Sequence, residues 1–414
     1  MMAFNKPVTV SGTDAASNRI VSIDIFRGST MAVMIFVNAL AGVPGLPWWT
    51  YHAHANEDVM TYVDMVFPFF LFIVGMSIPL SVEQRLKRNP STLALWIHVA
   101  LRSAGLVALG LILANAEKAD PSRMRISGNM WALLGLISAA LYLNVYPKSE
   151  RYPKYPIVLR SLGLVGVIVL YAIFRRSTHD GHAAWIDPSY PEILGLIGFT
   201  YLAVSILYIP TRQLRWAASA WFALLTLLCV CSTAKVIPLP GRLPLYVWPF
   251  GNGAMACIVM AGIVTSQIFL GMTPGKGIRP SPRRAMMIAA SFGILMLIVG
   301  WITVPLGISK IRATPTWSLW SIGASVLIFT LLYWFCDVKR WVSWAFLLRP
   351  AGSNALLTYL LPDIWYFLLA SFGITYLDTH LSLGWPAVIK TVVFTLFMLT
   401  LSSLLTRAKL RLQL

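Results

Sequence analysis

Apolar residues in this chain fall in long uninterrupted runs separated by short polar segments. Runs near 29–46, 62–82, 93–115, 129–146, 156–174 and 191–209 are followed by six more, near 215–234, 250–272, 284–307, 314–336, 351–373 and 384–406. A helix needs about 20 apolar residues to cross roughly 30 Å of hydrocarbon, and most of these runs are long enough. Only helices and closed barrels satisfy their backbone groups in lipid, and continuous apolar runs lack the alternation of a barrel strand. The pattern predicts an all-α polytopic integral membrane bundle of about 10–12 transmembrane helices, twelve on this reading. Trp48, Trp49, Tyr51, Tyr146, Trp248, Trp317 and Trp341 stand at run ends, where an interfacial aromatic belt belongs.

Composition agrees: 57% of residues are hydrophobic and 12% charged, against about 25% charged in soluble domains. Residues 1–18 read as a polar cytoplasmic segment and 19–414 as a single transmembrane domain. The first eighteen residues hold no apolar stretch followed by a cleavage site, so the first span is expected to act as the insertion signal. A net charge of +18 would suggest nucleic acid in a soluble protein. Here 22 of the 33 Lys and Arg lie in segments on the side of the N-terminus and 9 on the other, with Arg102 and Lys390 inside spans. That asymmetry is a topology signal, so both termini are expected in the cytoplasm and no nucleic-acid partner is expected.

This orientation turns the loop Pro47–Thr61, with His52, His54, Glu57 and Asp58 and no Lys or Arg, toward the outside. The loop Arg175–Glu192, with His179, Asp180, His182 and Asp187, faces the same way. Asp64 opens the second span, where the helix dipole favours a carboxylate, and His54 lies ten residues upstream in a loop that returns to that mouth. A histidine beside a carboxylate can serve as an oriented general base; equally, Asp64 can simply begin its helix and His54 be a solvated loop residue. Cys229, Cys231, Cys257 and Cys336 lie in apolar segments and read as packing residues. His52-x-His54 alone does not make a metal site, and no metal is expected.

The segment from Arg19 to Ser77 carries further pattern. Its words are Ser22-x-Asp24-x-Phe26-Arg27-Gly28, then Phe36-Val37-Asn38, then His54-Ala55, then Thr61-x-x-Asp64-x-Val66-Phe67-Pro68. Later come Lys310 with Thr314-Pro315-Thr316-Trp317, Tyr333 with Asp337, and Gly352-x-Asn354-Ala355-Leu356 with Tyr359. In these words, from about 19 to 370, the chain resembles the heparan-α-glucosaminide N-acetyltransferase family of multi-span membrane acyltransferases. The resemblance implies acetyl transfer from cytoplasmic acetyl-CoA to a sugar on the opposite side of the membrane. It also implies a catalytic histidine at His54 and a supporting role for Asn38. Asp64 would then orient the imidazole. Two words depart from the family: Asn56-Glu57-Asp58-Val59 replaces its Trp-Asn-Gly run, and Gly128 is followed by Asn129-Met130-Trp131-Ala132 with no arginine. The first departure puts glucosamine as acceptor in question, and the long loop from Asn38 makes His52 a rival for His54.

For the donor, His98 and Arg102 share a helix face at i,i+4 spacing. A cation that deep in hydrocarbon is costly unless it faces a polar path, so both are expected to line one for the CoA phosphates, with Asn354 as a further polar lining residue. The alternatives are an Arg102 that ties helices together and an Asn354 that caps its helix. Expected partners are membrane lipid, acetyl-CoA and a sugar or glycan acceptor, with room for a homodimer, in the bacterial inner membrane. The rival class is a secondary transporter or flippase using Asp64, Arg102 and Lys390.

Overall fold

A computed structural model describes residues 20–147, 154–178, 180–238, 251–271, 280–374, 376 and 380–414. The polar segment 1–18 and His179 lie outside the described residues. The described chain is almost wholly helical: α1 (Val21–Leu40), α2 (Val66–Arg88), α3 (Thr92–Asn115), α4 (Gly128–Leu143), α5 (Tyr155–Ile173), α6 (Glu192–Thr211) and α7 (Ala217–Thr233) form the first part. Then come α8 (Ala254–Leu270), α9 (Pro282–Ile302), α10 (Pro315–Tyr333), a short α11 (Leu348–Ser353), α12 (Ala355–Ser371) and α13 (Gly384–Arg407). A two-residue ribbon pairs Arg176–Ser177 with Ala183–Ala184. Among the described residues eight helical stretches are long and apolar enough to cross a membrane, and α4, α7, α8 and α12 are shorter apolar helices. The chain is an all-α polytopic membrane protein, and the twelve apolar runs correspond to these twelve helices.

The core follows from which helices are apolar on every side. α8 buries almost all of its residues and is wrapped by α2, α7, α10 and α6. At the periphery α5 buries only Gly163 and Leu170, exposing Ile157, Val158, Leu162 and Ile168, the surface that lipid covers. Hydrophobic driving force vanishes between helices in lipid, so close backbone approach takes over. A Cβ on Gly75 of α2 would stand 1.9 Å from the Val259 carbonyl of α8, and one on Gly262 would stand 2.1 Å from that of Phe72. Gly75→Ala therefore forces α2 and α8 apart. The expected cost is about 1–3 kcal/mol, read as a lower melting temperature in detergent, while an unchanged melting curve would contradict this packing.

α1 starts at Val21, eight residues before its apolar run. The cause is a long-range cap: Asp337, just beyond α10, accepts the Val21 and Ser22 N–H groups at 3.0 Å each. Arg27 is thereby drawn into the helix, where it donates to Ser77 Oγ (2.6 Å) and the Gly352 carbonyl (3.2 Å). Asp337 is thus the residue that fixes where α1 begins.

Candidate active site

The C-terminal ends of α1 and α3 and the N-terminal ends of α2, α6 and α10 gather at one end of the bundle. There the loop after α1 is pinned at several points. Tyr51 donates its hydroxyl to the Val43 carbonyl and receives the Leu46 N–H, and Thr61 Oγ1 donates to the Tyr51 carbonyl at 2.8 Å. Farther on, Arg312 holds Asp58 by an ion pair, and the Ile308 N–H donates to the same carboxylate at 3.1 Å. The Arg312 pairing holds the exposed Asp58 carboxyl below the usual carboxylate range. Those bonds lay the histidine loop against the segment before α10.

Asp64 lies in the 3-10 turn Tyr62–Met65 that leads into α2 and forms a capping box with Thr61. Its carboxylate is almost fully buried and accepts the N–H groups of Thr61 (3.1 Å) and Ala53 (3.3 Å) on Oδ2. Trp317, itself fully buried, donates to the Asp64 carbonyl at 3.0 Å and fixes the turn. Oδ1 faces His52 Nδ1 at 2.7 Å. A buried carboxylate with this many donors is ionised and can only accept, so Nδ1 carries the proton and Nε2 is left as the basic nitrogen. Lys310 Nζ lies 3.4 Å from the same Nδ1, a nearby cation and not a second donor. Burial pulls the Lys310 ammonium below the usual lysine range, against the opposing pull of Asp64 and Glu192.

The carboxylate therefore meets His52, two residues before the histidine expected from the His-Ala word. His54 is exposed; its N–H donates to Glu57 Oε2 at 3.0 Å, and its ring has no hydrogen bond among the described residues. His52 Nδ1 meets Oδ1 and the Ala53 N–H meets Oδ2, so the carboxylate holds this stretch of loop at His52. Spacing alone could not choose between them.

Asn38 lines two adjoining spaces. One is a narrow cleft with His52, Phe67, Ile193 and Lys310. The other is a cavity of about 560 Å³ bordered by Met34, Glu192, Tyr359, Asp363 and Phe394 among others. That volume falls within the range of roughly 300–1,000 Å³ of small-molecule sites. The Asn38 amide has no hydrogen bond among the described residues, so it is available to a ligand. Glu192 and Asp363 escaped the sequence reading because their helices are otherwise uniformly apolar and 171 residues of chain separate them.

His98 and Arg102 lie away from this cavity. The His98 Nε2 is buried with no hydrogen-bond partner, and the Arg102 guanidinium stacks over the Tyr201 ring at 4.8 Å with no acidic partner among the described residues. Asn354 departs from expectation. Its amide donates to Thr406 Oγ1 (2.9 Å) and the Leu410 carbonyl (2.8 Å), and its oxygen accepts the Leu412 N–H at 3.2 Å. All its polar atoms tie α12 to the C-terminal segment, leaving none for a ligand. Among the described residues no group of three His, Cys, Asp or Glu is placed to hold a metal ion.

Comparison with known proteins bears on the same region. Residues 19–220 match the family described as "Domain of unknown function (DUF5009)". The chain is 38% identical over 101 residues to heparan-alpha-glucosaminide N-acetyltransferase of Mus musculus, which is 24% of this chain and 15% of that protein. The Homo sapiens protein of the same name is 40% identical over 97 residues, 23% of this chain and 14% of its own length. The resemblance read from the sequence words is thus supported, by stretches that span about a seventh of the relatives.

Proposed function

We propose that the protein is a transmembrane acetyltransferase that moves an acetyl group from cytoplasmic acetyl-CoA to an amine or hydroxyl of a sugar or glycan on the outer face of a bacterial cytoplasmic membrane. The observation that carries this reading is the His52–Asp64 pair beside Asn38, at the edge of a cavity of small-molecule size. The names of the two relatives support the reaction class.

In this scheme Asp64 holds His52 in the tautomer with Nδ1 protonated, and Nε2 removes a proton from the acceptor as it attacks the thioester. Asn38 donates to the carbonyl oxygen as charge develops on it, and Lys310 adds a positive field. The imidazolium then returns its proton to the departing CoA thiolate. His54 supplies a second reading, favoured by its place in the His-Ala word: a base or transient acetyl carrier that reaches the acceptor after the loop rearranges. On the donor side, His98 and Arg102 form an unpaired basic site for CoA phosphates; a buried imidazole nitrogen without a partner and a guanidinium without an acid both suit an anion. Asn354 has no part in it.

Purified protein given acetyl-CoA and a panel of amino and neutral sugars is expected to release CoA only when an acceptor is present. Arg102→Gln is expected to raise the KM for acetyl-CoA about tenfold, the loss of roughly 1.4 kcal/mol of phosphate binding, with the acceptor KM unchanged. No acceptor-dependent CoA release with any sugar would end the reading. Unchanged kinetic constants with a lowered melting temperature would make Arg102 a residue that ties α3 to α6.

A further inference from the structure

An amine acceptor raises a problem that a single histidine does not solve. Near neutral pH a sugar amine is largely an ammonium, whose lone pair is occupied. Two protons must leave nitrogen before an amide is complete, one before attack and one after. Resting on the acetyl-transfer reading, we infer that Glu192 is a second catalytic base, which takes the first proton while neighbouring Asp363 holds the ammonium in the cavity.

Three observations converge on these residues. First, Glu192 is the opening residue of α6 with φ 57°, a left-handed conformation that a non-glycine residue keeps only where its surroundings hold it. What holds it is close packing: Pro191 presses its carbonyl against α3, where a Cβ on Gly110 would come within 2.0 Å. Second, the Glu192 carboxylate is aimed at α12, where Tyr359 donates to Oε2 at 3.2 Å. One helical turn on, Asp363 lines the same cavity among Pro362, Phe367 and Phe394, with no hydrogen bond or ion pair among the described residues. Third, the charges around the cavity do not balance. Glu117, Glu192 and Asp363 border it, and the one bordering cation among the described residues, Lys118, is committed to Asp187 at 2.8 Å. Lys310 is the other cation near Glu192, and it belongs to the His52 cleft. Tyr190, Tyr359 and Tyr366 complete the titratable groups that face this space. An unpaired carboxylate in an apolar wall is costly without a cation, and an ammonium supplies one.

The steps balance. The acceptor ammonium gives one proton to the Glu192 carboxylate, and the freed lone pair forms the N–C bond to the thioester carbon. The C–S bond breaks, His52 takes the second nitrogen proton, and the thiolate leaves as a thiol with the proton from His52. Glu192 then returns its proton to water. Asn38, shared by the cavity and the cleft, marks where the two bases meet the same acceptor atom.

Glucosamine and acetyl-CoA with full-length protein provide the test. Glu192→Gln is expected to lower kcat/KM at pH 7 at least tenfold. Activity of this variant is then expected to climb about tenfold per pH unit toward the pKa of the amine, because solution supplies the free base that Glu192 no longer makes. Wild-type protein should show no such climb. Asp363→Asn, which keeps the base, should raise the KM for glucosamine about tenfold with kcat within twofold. A Glu192→Gln loss that is equal at every pH, in protein of unchanged melting temperature, would overturn the inference. So would an unchanged KM in Asp363→Asn, the deciding variant if Glu192→Gln does not fold. Wild-type acetylation of neutral sugar hydroxyls as readily as of glucosamine would also overturn it while leaving acetyl transfer intact. Transfer to neither acceptor would remove acetyl transfer itself.

Discussion

His52→Ala is expected to lower the rate of the proposed acetyl transfer by about 10²–10⁴, the contribution of a positioned general base. The fold survives, because the His52 side chain is 44% exposed and contributes little to packing. His54→Ala, whose ring makes no hydrogen bond among the described residues, is expected to lose less than tenfold in the same assay. The pair of variants separates two readings that lie only two residues apart. A dead His54→Ala beside an active His52→Ala would assign the base to the histidine of the His-Ala word, and the Asp64 contact would then hold the loop and not the base.

Asp64→Asn is expected to act on both rate and stability. In place of an acceptor, an amide would present N–H groups to donors already aimed at it: Thr61 N–H, Ala53 N–H and His52 Nδ1–H. Turning the amide oxygen to the backbone donors leaves its nitrogen facing Nδ1, which must then lose its proton. The basic nitrogen moves to the wrong side of the ring, and the rate should fall about 10³-fold or more, as when a triad aspartate is amidated. The unpaired buried donor costs about 1–3 kcal/mol. Kinetics and a thermal melt on one sample check both. Full activity with a lowered melting temperature would reduce Asp64 to a helix cap.

Much of the architecture was legible because hydrocarbon leaves a chain few options. Twelve apolar runs became twelve helices, and most boundaries moved by only a few residues. The largest shift, at α1, came from a cap that Asp337 supplies from more than 300 residues away, which no local pattern records. The site was legible in part. Asn38 borders the cleft and the cavity, and Asp64 is paired to a histidine, though to His52 and not to the expected His54. The pairing of His52 with Asp64 follows from how the loop lies against a distant segment, where Arg312 holds Asp58, and no local pattern records that. Glu192 and Asp363 carried no local signal, since a single acid at the edge or middle of an apolar helix reads as noise until both border one cavity. Asn354 shows the opposite error: a polar residue at the start of an apolar helix looked like a site and proved to be a structural tie.

The proposed reaction carries acetyl across the membrane from a cytoplasmic donor to an acceptor at the His52 end of the bundle. It is tested most directly in proteoliposomes of known orientation, with the Pro47–Thr61 loop outward, as verified by labelling a cysteine placed in it. Radiolabelled acetyl-CoA is sealed inside and glucosamine is supplied only outside. The expected result is labelled N-acetylglucosamine in the outer solution, CoA retained inside, and no product from His52→Ala vesicles. Product formed only when acetyl-CoA and glucosamine share one compartment, or intact acetyl-CoA recovered outside, would contradict it.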